Sequence, residues 1–170
     1  GMGSMIETAE AAVGYLRKEK NIKVGIVHVT SFRPFPGKQL TEALKHVRSI
    51  SVLERMDNPL AESNPLTIEI KAALTDYIQR DESGNMKIPK IYSGSAGLGS
   101  RDVRPDDIIA VVENMIKDDK KYFAIGIDHE LGLPTRESTD IRPEGTFSMR
   151  GHSVGGYGSV TTNKVIATIV

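Results

Sequence analysis

The sequence predicts an α/β fold, in which helices cover both faces of a mainly parallel, twisted sheet. Short apolar, β-branched runs alternate along the chain with segments of helical periodicity. Glycine and proline mark the ends of several of these segments. Strands that alternate with helices in this way pair in parallel, because each connection crosses the sheet as a helix.

The N-terminal part of the chain predicts two helices with a buried strand between them. Residues 7–20 place apolar side chains three and four positions apart, which is helical spacing. Residues 22–29 are β-branched and mostly apolar, which is typical of a strand inside a parallel sheet. Two prolines stiffen the loop at 31–37. A short amphipathic helix is predicted at 38–47.

Further strands and helices alternate over the next eighty residues. Asn64 and Pro65 are a typical cap and first residue of a helix. Asp106 and Asp107 follow a proline and would lie at the positive end of another helix. The predicted elements are strand 49–53, helix 65–79, strand 90–93, helix 105–116 and strand 122–127.

We divide the chain into four regions. Residues 1–5 look like a cloning remnant, which we set aside. Residues 6–128 form the first domain, and 129–145, with prolines, glycines and many charges, form a linker. Residues 146–170 read as the strand, glycine turn and helix that open a second α/β domain. Because the sequence stops inside an apolar run, we expect a piece excised from a longer protein.

Composition excludes several classes of function. The 22 Lys and Arg residues balance 22 Asp and Glu residues, so no net positive charge favours nucleic acid. The chain has no cysteine, which excludes disulfides, iron–sulfur ligation, thiolate zinc sites and a cysteine nucleophile within it. No apolar run approaches the roughly 18 residues that span a bilayer, and no signal peptide is evident. We therefore expect a cytoplasmic protein that binds neither nucleic acid nor membrane.

A glycine-rich segment at 151–159 is the most suggestive candidate for binding. Glycines after a strand let backbone N–H groups approach a phosphate, and the start of a helix favours the anion. The spacing matches neither a P-loop nor a dinucleotide fingerprint, so a phosphate site and a merely tight turn both remain open. The candidate residues are Gly155, Gly156, Gly158, Ser159, Thr161, Asn163 and Lys164.

A second group of residues could shape a site or an interface. Arg33 carries a planar donor fork suited to an anion, but pairing with Glu54 or another acid is the simpler interpretation. Glu54 lies at the end of a strand and could line a site or an interface. Gly97, Gly99 and Arg101 belong to a glycine loop, for which packing against a neighbouring domain is favoured over ligand binding.

The histidines suggest no metal site, because none has the spacing of a ligand set. His28 lies in an apolar segment, where a core or edge position is expected. No catalytic residue is predicted.

Four motifs together resemble one family. They are the apolar run 24–29, the RPFP sequence at 33–36, the LER sequence at 53–55 and the GLGSRD sequence at 97–102. In this order, over about residues 20–128, they resemble core domain II of pyruvate:ferredoxin (flavodoxin) oxidoreductases and related 2-oxoacid oxidoreductases.

The tail resembles the start of the gamma domain of the same family. Its glycine loop ends in Asn163 and Lys164, as the family's does. Thr161 and Thr162 depart from the small residues common there, and the glycine turn is slightly longer.

The resemblance implies a fold like the transketolase C-terminal domain. It implies a parent enzyme that decarboxylates a 2-oxoacid, usually pyruvate, on thiamine diphosphate. Electrons leave through iron–sulfur clusters to ferredoxin or flavodoxin, and the acyl group passes to coenzyme A. This piece would brace subunits of an oligomer, bind none of these cofactors alone and be inactive alone. The family's coenzyme A role falls on the loop at 155–164.

Two other functions remain open. The chain could be a stand-alone phosphate- or nucleotide-binding module. It could also be a pure interaction domain, with the proline loop and the loop around Leu98 as its contact surface.

Overall fold

The sheet consists of three parallel strands in the part of the chain that the structure describes. This computed structural model describes residues 1–81, 87–134, 139–142, 145–146 and 158–169. The strands are β1 (Ser49–Glu54), β2 (Lys90–Ser95) and β3 (Tyr122–Ala124), in that spatial order. Ser49 lies opposite Lys90, and Ser93 lies opposite Tyr122. The predicted α/β class is confirmed.

Helices cover both faces of this sheet. They are α1 (Met5–Lys20), α2 (Gly37–Leu44), α3 (Pro65–Arg80) and α4 (Pro105–Lys117), with a 3-10 turn at Leu98–Ser100. A further helix, α5 (Ser159–Ile169), is exposed along most of its described length. The helices α1 and α4 contact each other, as do α2 and α3. Each pair buries its own apolar cluster, one on either side of the strands.

Alternate side chains of the strands divide between these two clusters. Leu53 and Tyr92 are buried with α1 and α4, whereas Val52 is buried with α2 and α3. Gly94 has no room for a side chain, because a Cβ atom there would lie 2.5 Å from the Phe123 ring. The strands are therefore packed closely on the α1 and α4 side.

The last strand is shorter than the sequence predicts. β3 ends at Ala124, three residues before the predicted end. Gly126 follows with a φ of +76°, a left-handed conformation that turns the chain away from the ladder. The buried Ile125 still donates its backbone N–H to Ser95 O at 3.0 Å.

The predicted strand at 22–29 is wrong, because this segment forms no ladder with β1. Its partner is instead Gly1: the Gly1 ammonium donates to Val27 O at 3.2 Å, and Val29 N donates to Gly1 O at 2.9 Å. Gly1 also approaches Leu53 O in β1, so it occupies the space beside that strand.

The first five residues, which look like a cloning remnant in the sequence, are partly packed within the fold: Gly1 and Met2 are half-buried, and Gly3 and Ser4 are exposed. The α1 helix begins at Met5, two residues earlier than predicted. Met5 is 8% exposed and belongs to the cluster between α1, α4 and the sheet.

Part of the segment predicted as a linker lies along β3. Ala124 N donates to Leu131 O, and Leu133 N donates to Ala124 O, both at 2.9 Å. Leu133 is buried in the cluster on the α1 and α4 side. This segment thus covers the outer edge of the short strand.

The remaining predictions concern the C-terminal region. The predicted strand at 146–149 and the predicted glycine turn at 151–158 lie outside the described residues except for Thr146 and Gly158. Within the described ranges, no helix combines the length and apolar character needed to cross a membrane.

Candidate functional site

The carboxyl ends of β1 and β2 meet the start of α3, and polar side chains, all buried except that of Asp57, fill this junction. In open α/β sheets, ligands and interfaces gather at this edge. The side chains that meet there are those of Glu54, Asp57, Asn64, Thr67, Ser93 and Ser95.

Glu54 is the centre of this junction, and its side chain is buried. One carboxylate oxygen accepts Leu66 N–H at 2.7 Å, and the other accepts Thr67 N–H at 3.1 Å. The same second oxygen accepts the Thr67 hydroxyl at 3.2 Å. A carboxylate is stabilised at a helix N-terminus, because the first N–H groups have no partner within the helix.

Glu54 therefore caps α3, a role that the sequence assigned to Asn64. The prediction placed the start of the helix correctly at Pro65. The Asn64 side chain makes no capping bond to the helix. It points instead into the junction between the strands and the following loop.

Two serines of β2 continue the network from the strand side. Asn64 N–H donates to Ser93 Oγ at 3.3 Å, and Ser93 Oγ lies 3.1 Å from Thr67 Oγ1. Asn64 Nδ2 donates to Ser95 Oγ at 3.1 Å, and Ser95 Oγ donates to Asp57 Oδ1 at 3.0 Å. Each serine hydroxyl can thus serve once as donor and once as acceptor.

Asn64 also fixes the shape of the loop between β1 and α3. Its side-chain oxygen accepts Asn58 N–H at 3.0 Å, and its amide donates to Met56 O at 3.2 Å. These two hydrogen bonds join the backbone of the loop to the Asn64 side chain, which is buried. The loop therefore has one defined conformation on this edge.

The glycine loop after β2 packs against the loop after β1. Gly97 and Gly99 have φ values of +64° and +62°, a conformation that glycine adopts without strain. A Cβ atom at Gly97 would lie 2.9 Å from the Arg55 side chain. The structure thus joins these two loops, while Arg101 is exposed at the end of the second one.

Arg33 lies beside α3 and pairs with Glu69, not with Glu54. Its guanidinium donates to the Glu69 carboxylate at 2.7 Å and stacks over the Phe32 ring at 4.3 Å from the centroid. A free anion site at Arg33 has no support in this geometry, since Glu69 already provides the negative charge.

Two neighbouring buried acidic residues, Asp106 and Asp107, lie at the start of α4. Asp107 is 1% exposed and accepts Arg104 N–H at 2.8 Å through one oxygen. Its other oxygen has no hydrogen-bond partner among the described residues. Burial raises the pKa of Asp107, because desolvation disfavours the charged carboxylate. Asp106 is tied to the following segment, since it accepts Thr139 N–H at 2.9 Å.

The C-terminal candidate site is only partly described. Gly158 has a φ of +74°, and α5 begins directly after it at Ser159. Thr161, Asn163 and Lys164 are exposed on the helix. Gly155 and Gly156 lie outside the described residues.

Most of the buried junction, including Thr67, Ser93 and Ser95, was not predicted from the sequence. Ser93 and Ser95 are two positions apart in a strand, so they face the same side of the sheet. That spacing was the available signal, but polar residues in a strand equally predict a solvent-facing edge. His28, expected in the core or at an edge, is exposed.

The arrangement favours a structural role at this edge. Within the described ranges, no three His, Cys, Asp or Glu side chains are placed to hold a metal ion. The polar groups around Glu54 satisfy one another, which fixes the positions of loops rather than activating a group for reaction.

Comparison with known proteins identifies a family model and several relatives that match this chain. The family model described as pyruvate:ferredoxin oxidoreductase core domain II matches residues 1–108. The pyruvate:ferredoxin oxidoreductase of Moorella thermoacetica is 32% identical over 96% of this chain and 14% of its own length. A probable pyruvate-flavodoxin oxidoreductase of Escherichia coli is 33% identical with the same coverage.

A third relative carries a different electron acceptor in its name. The mitochondrial pyruvate dehydrogenase [NADP(+)] of Euglena gracilis is 30% identical over 99% of this chain and 9% of its own length. The chain thus spans a small part of the curated relatives that it matches. Because the family model covers more than half of the sequence, the chain belongs to the family of pyruvate:ferredoxin oxidoreductase core domain II.

Proposed function

We propose that this chain is a bracing domain of a 2-oxoacid oxidoreductase that acts on pyruvate. The whole enzyme would form acyl-CoA and CO2 and reduce ferredoxin or flavodoxin. The names of the relatives support the substrate and the acceptors. The chain corresponds to 14% of those proteins, which supports the assignment of the remaining machinery to other domains or subunits. We further propose that the whole enzyme is oligomeric and cytoplasmic.

The buried junction at Glu54 is the observation that carries the bracing role. Its carboxylate holds the start of α3, and the serines of β2 hold the loop that precedes it. This network uses its donors and acceptors internally. It can position exposed loops against a neighbouring domain. The buried carboxylate of Glu54 and the hydroxyls of Thr67 and the two serines are engaged in internal hydrogen bonds, so none of them is free to act as an acid, base or nucleophile.

The donor set of the chain limits which cofactors it can hold. Iron–sulfur clusters require thiolate ligands, and the chain has no cysteine. Cluster binding therefore falls to other parts of the enzyme. Thiamine diphosphate, when bound elsewhere in the enzyme, supplies the stabilised carbanion for decarboxylation. We assign no catalytic residue to this chain.

Coenzyme A is the one cofactor for which the chain offers a partial fit. Gly158 precedes the N-terminus of α5, where unpaired N–H groups favour a phosphate. Lys164 is exposed on the same helix and adds a positive charge. We propose that Gly155, Gly156 and Ser159 also belong to this loop, and that Thr161 and Asn163 flank the phosphates.

The test compares the isolated chain with the full enzyme. The chain alone, supplied with pyruvate, thiamine diphosphate, coenzyme A and an electron acceptor, should show no turnover. In the full enzyme, Lys164→Ala should raise the KM for coenzyme A about fivefold, the loss of one charge contact to a phosphate. The control Lys23→Ala, which removes another exposed lysine, should leave that KM unchanged.

Turnover by the isolated chain would refute the bracing role. Equal KM values for coenzyme A in the Lys164 and Lys23 variants would refute the coenzyme A site but not the bracing role. Failure of the full enzyme to oxidise pyruvate would refute the proposed substrate.

A further inference from the structure

Leu60 is the most exposed large apolar side chain among the described residues, at 108% of the reference area. It lies in the loop between β1 and α3, at the carboxyl edge of the sheet. Its neighbours Pro59 and Ala61 are also exposed, and Met56 is 39% exposed. We call these four exposed apolar residues of one loop the apolar tip.

The backbone of the apolar tip is strained at Leu60. Ala61 N–H donates to Asn58 O at 3.2 Å, which closes a turn with Pro59 at its second position. The φ of Leu60 is +66°. Proline followed by a residue of positive φ is typical of a type II turn, whose third position favours glycine. A leucine there costs conformational energy and gains no burial within this chain.

The backbone of the same loop is fixed by hydrogen bonds to the Asn64 side chain. The buried Asn64 accepts the N–H of Asn58 and donates to the carbonyl of Met56. The apolar tip is therefore presented in one conformation, which reduces the entropy lost when a partner binds it. A rigid turn that holds a strained leucine in solvent is preorganised for docking, because burial of the leucine in a partner would then recover its hydrophobic free energy at little entropic cost.

We infer that Leu60 is an anchor that docks into an apolar pocket on another domain of the same oxidoreductase. This inference rests on the proposed function, since it names the contact through which the bracing domain holds its neighbour. The pyruvate:ferredoxin oxidoreductase relative is about seven times as long as the region that this chain matches, so most of such an enzyme lies beyond this chain. Charged Arg55, Asp57 and Glu62 are exposed around the tip and would form the polar rim of such an interface.

The test is hydrogen exchange of residues 60–62 in the full enzyme and in the isolated chain. We expect exchange in the full enzyme to be slower by roughly tenfold or more, because docking excludes water from the tip. Leu60→Gly in the full enzyme should restore the fast exchange of the isolated chain. The matched control is Ile88→Ala, which truncates an apolar side chain that is 73% exposed. It should leave the exchange of residues 60–62 unchanged.

A thermal melt separates docking from folding. Leu60→Gly relieves the strain at positive φ, so the isolated variant should melt no lower than the parent chain. A large drop in Tm would show that Leu60 stabilises the chain itself, which would overturn the inference.

The remaining outcomes distinguish the inference from the function on which it rests. If residues 97–101 are protected in the full enzyme but residues 60–62 are not, the anchor is wrong and the bracing role stands. If neither loop is protected, the bracing role through this edge is wrong as well. Protection that survives Leu60→Gly, or that grows with the concentration of the isolated chain, also overturns the anchor.

Discussion

Glu54 is the residue whose side chain caps α3 at the carboxyl edge of the sheet. Its carboxylate accepts two backbone N–H groups and one hydroxyl from the first turn of α3. Sequence alone identified Glu54 as a charge at a strand end, which fits an exposed site equally well. Burial of a charged group with its donors is a tertiary property, and no local pattern predicts it.

Removal of the Glu54 carboxylate should destabilise the chain. Glu54→Ala leaves two N–H groups of α3 unpaired and buried, so we expect the free energy of unfolding to fall by about 3 kcal/mol. Glu54→Gln keeps one acceptor and should cost about half as much. Urea denaturation measures both values. The control Glu10→Ala, at an exposed position of α1, should change stability by less than about 0.5 kcal/mol. Equal effects at Glu54 and Glu10 would contradict the capping role.

At the scale of elements, the clearest coupling joins the end of α4 to the start of β2. Asp118 follows α4 with a φ of +54°, and its carboxylate accepts hydrogen bonds from Lys90 and Tyr92. These two donors lower the pKa of Asp118. Burial, followed by the bond to Asp118, raises the pKa of Tyr92 to about 12. The hydrogen bond from the neutral phenol of Tyr92 to Asp118 thus connects β2 to the end of α4.

This tie predicts a stability change in alkaline solution. Tyr92 has a higher pKa in the folded chain than the value near 10 expected when unfolded. The contribution of the neutral Tyr92 phenol to the free energy of unfolding is therefore complete below pH 10 and is lost as the pH rises toward 12. Relative to Tyr92→Phe, the parent chain should lose stability over that range. Urea titrations at several pH values measure the difference. A difference that stays constant from pH 9 to 12 would contradict the shifted pKa.

Element boundaries were predictable wherever the chain itself carries the signal. Pro65 and Pro105 begin helices as predicted, because proline suits the first turn. The segment 22–29 has the composition of a strand and forms none, because Gly1 lies between it and β1. Strand formation depends on an available neighbour, and local composition carries no information about that neighbour.

On the scale of the whole molecule, the sheet separates two apolar clusters. Ile108 belongs to the cluster beneath α1 and α4, and Leu74 belongs to the one beneath α2 and α3. Both side chains are nearly inaccessible to solvent. Helical periodicity predicted the buried face of α1 correctly, whereas Ala43 and Val47, predicted to face inward from the next helix, are exposed, and α2 ends at Leu44, before Val47. The assignment of helices to faces required the spatial order of the strands.

The separation predicts that mutations on opposite faces act independently. Ile108→Val and Leu74→Ala should each destabilise the chain, by about 1 and about 3 kcal/mol, and their sum should match the double variant within about 0.5 kcal/mol. Ile70→Val lies in the same cluster as Leu74, so that pair should deviate from additivity by more. Urea denaturation of the three single and two double variants measures both couplings. Strong coupling across the sheet would contradict two separate cores.

The parallel pairing of β1 and β2 also has a consequence for the speed of folding. Their register joins residues about forty positions apart, because a whole helix connects the two strands. The two strands of a β-hairpin are joined by only a few residues. Here the long segment between β1 and β2 must lose conformational entropy before the first hydrogen bond between the strands forms. We therefore expect this chain to fold over milliseconds to seconds rather than microseconds, with a rate limited by the encounter of distant strands.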